Sequence, residues 1–483
     1  MRKKFAQQLS LGITPIAEVK IPTKSRDELP PVLAALQYIF VDPELNNKVF
    51  EIIAPKVTAG KQATGRHGMD MWEILVLATV RMALNTNYDR LHDMANFHRL
   101  IREIMGVENR FNEGKTYGLQ TIKDNVSLLD EETIDRVNVL VVETAHQFVL
   151  KKNEKLRIKS DAYALETNVH FPTDLNLLWD ACRKGIDVIK YCIKNYDLKG
   201  WRKYKCWRSA LKSAMRSAGK ACASKGKDKE TVIKGQVGEY LRLAKGLGEK
   251  LTESREQLYA SAAFDEKLFL ALEELSYYQE MINKHIDLVD RRLLKGEKIP
   301  SGEKIYSIFE PHTEWISKGK QNKKVELGHR LLIATDQYHF ILHHKVAQGQ
   351  QDVELTVPLA DSLLSSYSNI ESMSFDKGFY SKENKELLSM EVPQVVMPKK
   401  GKLNALEREE ESGKHFKKLR NMHSGVESNI NQLEHNGLDR CPDKGLRNYK
   451  RYVSLGILSY NLHRLGKEIL KQAGANQGLR QAA

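Results

Sequence analysis

Three carboxylates stand where a folded chain can gather them. Asp161 lies at the end of the strand-like run IKSDAY. Asp376 follows the strand-like MSF and precedes Lys377-Gly378. Glu427 lies inside the late helical segment RNMHSGVESNINQLEHNGL. Carboxylates at strand ends can converge at one edge of a sheet, and a glutamate from a neighbouring helix can complete the cluster. Such oxygen donors suit hard divalent cations, Mg²⁺ or Mn²⁺. Two ions about 4 Å apart could activate water and stabilise the leaving oxygen of a phosphodiester. Spacing alone does not single out this triplet among 62 acidic residues.

Other groups carry less. Asp336, in IATDQYHF, reads as a hairpin turn rather than a catalytic group. His339, His343 and His344 lack a cysteine or carboxylate at zinc spacing. Asp174 and Asp180 fall where the chain becomes helical and read as caps. The phosphate-cradling pattern GxxxxGK[ST] does not occur, so ATP dependence is not supported. No Ser/His/Asp arrangement can be argued.

The elements that must position the carboxylates follow from periodicity. Residues 1–30 are polar and read as an arm, and TAGKQATGRHG reads as a loop. Residues 30–152 form a helical domain, with Asp70 as an N-cap and a helix starting at Asp130. LRIKSDAYALETNVHF has the alternation of strands. After Pro172 the chain is helical to about residue 298. Leu268, Leu272, Leu275, Tyr278, Ile282, Ile286, Val289 and Leu293 form one stripe there. Packing within its own domain is the expectation; a coiled-coil-like partner surface is the alternative. From Lys324 two strands are expected around Asp336-Gln337. A helix at 358–368, a strand into SFDKGFYS, a helix at 381–390 and the strand QVVMP follow. Two long helices, 411–435 and 446–470, close the chain. The pattern is a mixed sheet interrupted by a helical insertion.

The chain has 483 residues, enough for two to four domains. Hydrophobic residues make up 41%, enough to bury real cores, and no run of about 18 apolar residues predicts a spanning helix. The start, MRKKFAQQLS, has no apolar stretch and is not expected to be a secretory signal. Five cysteines with no CxxC pair predict reduced thiols, a cytosolic setting and no structural zinc. The net charge is +14 and the pI about 9.2. Nucleic acid, an anionic membrane or a merely solvated surface would each account for that. The charge is concentrated: residues 181–229 hold 15 Lys/Arg against three acids, a net +12. Tyr191, Tyr196, Trp201, Tyr204 and Trp207 are interleaved with them. Cations meet phosphates and flat rings stack on bases, so Trp201, Arg202, Lys203, Lys205, Trp207 and Arg208 are candidate DNA contacts. A helix pair with a basic solvent face is the alternative. Residues 399–451, which include Glu427, carry a milder +5.

The wording of these segments resembles the bacterial insertion-sequence transposases of the DDE class, over most of the chain. GRHGMDMWEILVLATVRMALNTNYDRLHDMAN looks like their helical N-terminal domain. SDAYALETNVHFPTD looks like the segment of the first catalytic aspartate, and KKVELGHRLLIATDQYHFI like the strand pair after it. SFDKGFYS and HSGVESNINQLEHNGLDRC resemble the segments of the second aspartate and the glutamate. The resemblance implies an α/β fold: an RNase H-like mixed sheet flanked by helices, an all-helical N-terminal domain and a long helical insertion. The corresponding division is 1–150 for DNA binding, 151–172 and 302–472 for the catalytic core, 173–301 for the basic insertion and 473–483 for a tail. Asp161, Asp376 and Glu427 would be catalytic and would hold two Mg²⁺ or Mn²⁺ ions. Glu166 and His170 would line the cleft.

The implied activity is cutting at terminal inverted repeats and joining of the 3′-hydroxyls to target DNA. The implied partners are double-stranded DNA and a second subunit, with no membrane and no ATP, in a bacterial cytoplasm at the nucleoid. The N-terminal domain would read the repeats, as a helix-turn-helix-like pair does. Many relatives carry Tyr, Arg, Glu and Lys along the glutamate helix; here those positions hold Arg420, His423, Glu427 and Glu434. On one continuous helix Arg420, His423, Glu427, Asn431 and Glu434 would share a face. Arg420, His423 and Lys377 remain candidate phosphate contacts. The alternatives are a non-catalytic DNA-binding protein on the same scaffold, a nuclease that does not join, and a helical scaffold using the Leu268–Leu293 stripe.

Overall fold

The computed structural model describes residues 3–5, 13–60, 68–107, 115–226, 228–260, 265–317 and 325–482. Most of the loop expected at 58–68, and part of the arm at 1–30, lie outside them. The chain forms two compact units, Met1–Asn168 with Ile316–Ala483, and Val169–Trp315.

The first unit, the core unit, begins with helices. These are α1 (Leu29–Val41), α2 (Pro43–Thr58), α3 (Met71–Ala83), α4 (Tyr88–Phe97), α5 (Arg99–Ile104), α6 (Leu119–Val126) and α7 (Glu131–Val149). Asp130 caps α7, its carboxylate accepting the Thr133 N–H, and Glu131 and Glu132 follow in the favourable first turn. Then comes β1 (Leu156–Thr167), the central strand.

The chain next builds the second unit from α8 (Asp174–Asn195), α9 (Tyr204–Ala223), α10 (Lys229–Tyr259) and α11 (Glu266–Val289). This helical unit has its own core, in which Leu178, Ile186, Ile189, Leu211, Tyr240, Leu247, Leu272, Leu275 and Ile282 are fully buried. The stripe from Leu268 to Val289 is therefore packing surface, as expected.

β2 (Glu314–Ser317), β3 (Val325–Thr335) and β4 (Ile341–Ala347) return the chain to the sheet. After them come α12 (Asp352–Ser366), β5 (Ile370–Phe375), α13 (Lys382–Glu391), β6 (Gln394–Val396), α14 (Ala405–Ser412), α15 (Lys414–His423) and α16 (Gly425–Leu433). The short β7 (Arg440–Cys441) and the long α17 (Leu446–Ala482) close the chain. The sheet is open and mixed, ordered β2-β3-β1-β5-β6, with β4 also on β3 and β7 also on β1. β1 runs antiparallel to β3 and parallel to β5, and β5 is parallel to β6.

The expected boundary at residue 150 is not a break in the core. α17 packs along α1, α3 and α7, and all of them share one apolar cluster with the sheet. Asn461 of α17 ties three elements together. Its Nδ2 donates to Asn138 Oδ1 of α7 and to the Ile341 carbonyl of β4, both at 2.8 Å, and its Oδ1 accepts the Ile341 N–H at 2.9 Å. A second difference is the helix expected over 411–435. It is divided into α14, α15 and α16, with α15 and α16 separated at Ser424. Among the described residues no helix is long and apolar enough to cross a membrane.

α17 also crosses α1 at backbone contact. A Cβ on Gly466 would lie 1.7 Å from the Pro31 carbonyl oxygen. Gly466→Ala is therefore expected to force the helices apart and cost about 3 kcal/mol, read as a lower urea midpoint.

Candidate functional site

The site begins with a register. β1 pairs β5 in parallel up to Ser160 opposite Phe375, where β5 ends. The next residues in that register are Asp161 and Asp376. β1 continues alone along that edge until β7 takes it up at Glu166 and Thr167. The edge between is a notch at the carboxyl end of a parallel strand, the place where open α/β sheets hold ligands.

α16 brings Glu427 to the notch. It packs on β1, and Asn429 fixes its position. Asn429 Oδ1 accepts from His339 Nδ1 at 2.8 Å. Asn429 Nδ2 donates to the His339 carbonyl at 3.0 Å and lies 2.9 Å from Tyr460 Oη. His339 sits in the β3–β4 turn with φ of 66°, a left-handed conformation that costs a non-glycine residue about 1 kcal/mol. Asp336 builds that turn. Its Oδ1 accepts the N–H groups of Tyr338 and Phe340, and its Oδ2 accepts from His146 Nε2 at 2.8 Å. Asp336 is thus the fully buried turn residue that its sequence setting suggested.

The electrostatics tie the three carboxylates together. Burial pushes the Asp161 carboxyl up to about 7, and the charges of Asp376, Asp352 and Glu427 push in the same direction. The Ala162 N–H, donating to Asp161 Oδ1 at 2.7 Å, opposes them. Asp376 and Glu427 are exposed. Asp352 opens α12, is held by Arg330 at 3.0 Å, and would touch a Cβ placed on Gly378 at 2.9 Å. His423 closes α15 against β5, with Nδ1 3.1 Å from Ser374 Oγ. Burial lowers its pKa and Lys159 adds to that, while Asp376 and Glu427 oppose it. Its Nε2 is buried without a partner. Lys377 and Arg420 are exposed.

Among the described residues none of Asp161, Asp376 and Glu427 forms an ion pair with the protein. Nor do any three His, Cys, Asp or Glu side chains stand close enough to hold a metal ion as they are placed. The donor chemistry fits a hard divalent cation, since unpaired carboxylates repel one another and a cation would relieve the repulsion. His339, His343 and His344 do not converge. His343 meets Ser362 Oγ and His344 meets Ser454 Oγ.

The basic segment of the helical unit divides into surface and core. Trp201 is a correction: it is 3% exposed, its Nε1 donates to Ser254 Oγ at 2.6 Å, and Lys250 lies over its ring. Trp207 is half-buried, its ring 3.5 Å from a Cβ placed on Gly246. The Trp201 ring serves packing rather than base contact, and the Trp207 ring packs in part against the helical core. Arg202, Lys203, Lys205 and Arg208 are exposed, and Arg208 is paired with Asp187 at 2.6 Å. Lys205, Arg208, Lys212, Arg216 and Lys220 recur every three or four residues on α9 and form one exposed basic stripe.

Sequence reasoning missed three features. Lys159 and Asp352 join the carboxylate site. A cleft of about 750 Å³ in the helical unit is lined by Phe171, Tyr306, Trp315, Arg292 and Lys304. Lys159 was within reach, since it stands two residues before Asp161 on a strand and so shares its face. His170 instead pairs with Asp180 in the helical unit, and Glu166 pairs with Arg440 at 2.9 Å.

Comparison with protein-family models, curated proteins and solved structures finds no match to this chain.

The raised Asp161 pKa makes a signed expectation. The folded state binds this proton more tightly than the unfolded chain, whose aspartates titrate near 3.9. Its contribution is fully present below pH 4 and lost as pH rises to about 7. In metal-free buffer Asp161→Asn is expected to melt above the unsubstituted protein at pH 8, with the difference vanishing by pH 4.

Proposed function

We propose that the chain is a metal-dependent enzyme that cuts and joins DNA ends, of the DDE transposase type. The observation that carries this reading is the electrostatic coupling of Asp376 and Glu427 to Asp161 at the edge of β1. They come from three distant stretches, none is ion-paired among the described residues, and the other two add to the raised pKa of Asp161. An RNase H-like core is the matching fold proposal. Its support is a sheet in which antiparallel β4, β3 and β1 are continued by parallel β5 and β6.

The three carboxylates would hold two Mg²⁺ or Mn²⁺ ions, which when bound activate water and stabilise a leaving oxygen. The chain's own groups then have separate tasks. The exposed cations Lys377 and Arg420 draw a phosphodiester towards the notch. His423, held near neutrality by burial, offers Nε2 to a phosphate oxygen or an ordered water. The α9 stripe grips phosphates independently of sequence. The aromatic cleft offers Phe171 and Trp315, 61% and 38% exposed, for an unpaired base to stack on. Double-stranded DNA ends and target DNA are the proposed substrates, with two copies of the chain acting together.

The test uses duplexes from the DNA flanking the coding region, searched for matching inverted repeats. Asp161→Ala, Asp376→Ala and Glu427→Ala are each expected to lower Mg²⁺-dependent cleavage by at least about 10²-fold. Cleavage that survives these changes would reject the site. Products without joined strands would leave a nuclease, and binding without cleavage a DNA-binding protein. Changing Lys212, Arg216 and Lys220 to Gln is expected to flatten the dependence of log K on log salt by about 0.9 for each phosphate no longer neutralised.

A further inference from the structure

Lys159 is a buried cation without a partner. It is 6% exposed, on the same face of β1 as Asp161. Among the described residues no hydrogen bond or ion pair reaches its ammonium. Asp336 attracts it from a distance, but both Asp336 oxygens are occupied by His146, Tyr338 and Phe340. The His339 carbonyl nearby is shared by Asn429 and Tyr460. The ammonium lies against the first residue of α16: a Cβ on Gly425 would stand 3.1 Å from Lys159 Nζ and 3.3 Å from His339 Cε1. That is the point where α15 gives way to α16, across the single residue Ser424.

Burying the ammonium without a contacting anion is costly. That cost falls two residues from Asp161 on the same face of β1. An anion that enters with the substrate would offset it.

We propose that Lys159 receives a non-bridging oxygen of the DNA phosphodiester at the carboxylate notch. The inference rests on the DNA-cutting reading and adds a substrate contact to it. Lys159 completes the site by holding the phosphate whose ester bond lies between the carboxylates. A side chain at Gly425 would crowd the ammonium.

The experiment compares the full chain with Lys159→Met and Lys159→Arg on the same duplexes. Three readouts are taken: the melting temperature of the free protein, the salt dependence of binding in EDTA, and the cleavage rate with Mg²⁺. Lys159→Met is expected to melt at or above the parent temperature, because it removes an unpaired buried charge. Its salt slope is expected to fall by about 0.9, and cleavage by about 10²-fold or more. Lys159→Arg is expected to restore part of the slope. A lower melting temperature with an unchanged slope would make Lys159 a structural bolt and overturn the assignment. An unchanged cleavage rate in Lys159→Met would overturn it as well. No cutting by the parent chain, with the slope still reduced in Lys159→Met, would reject the enzyme reading and retain the phosphate contact.

Discussion

β1 is the strand on which everything else is registered. On one side it pairs antiparallel with β3 from Lys159 to Glu166; on the other it pairs parallel with β5 only as far as Ser160. That asymmetry makes the notch. Where β5 stops, Asp376 is released beside Asp161, and the exposed edge of β1 becomes available to α16. A slip of one residue would send Lys159 and Asp161 to the opposite face and scatter the cluster. The pairing with β3 guards against this, because Gly328 lies so close to β1 that a Cβ there would sit 1.9 Å from the Leu165 carbonyl oxygen.

The same face carries electrostatic tension. Asp161 is half-buried among like charges, and Lys159 is buried without a counterion. Each alone is unfavourable, and they lie two residues apart on one strand without neutralising each other by contact. Elsewhere in the core unit a buried charge can meet its opposite directly, as Arg81 meets Asp443 at 2.6 Å. Perturbed charges gathered at one edge of a sheet are a physical reason to look for a functional site there.

Much of this was legible in the chain. Asp161 and Asp376 could be found because each adjoins a strand signal, and Glu427 because it lies in a helical one. The hairpin at Asp336, the caps at Asp70 and Asp130 and the stripe from Leu268 were local patterns and came out as patterns. The misses were non-local. Nothing in the periodicity of 411–435 says that the helix yields at Ser424, where Gly425 lies close to Lys159 and His339 of distant segments. Trp201 sits among basic residues in sequence yet faces Ser254 in space. The boundary at residue 150 dissolved because α17, three hundred residues later, fills the groove between α1, α3 and α7. The strand register supplies the geometry that brings Asp161 and Asp376 to one edge.

One contact at the edge of the helical unit bears on how such a chain can change. Phe171 and Trp315 meet ring to ring, with centroids 5.8 Å apart, at the two ends of the segment Val169–Trp315. The segment thus leaves and re-enters through a narrow doorway. Closing a loop costs little more when the loop is lengthened, only about 0.6 kcal/mol per doubling. The sheet is therefore nearly indifferent to what is hung between those two rings. A lineage could enlarge, trim or replace the helices outside the doorway while β1 and its carboxylates stayed in register. The helical unit and the carboxylate edge are free to evolve on separate clocks.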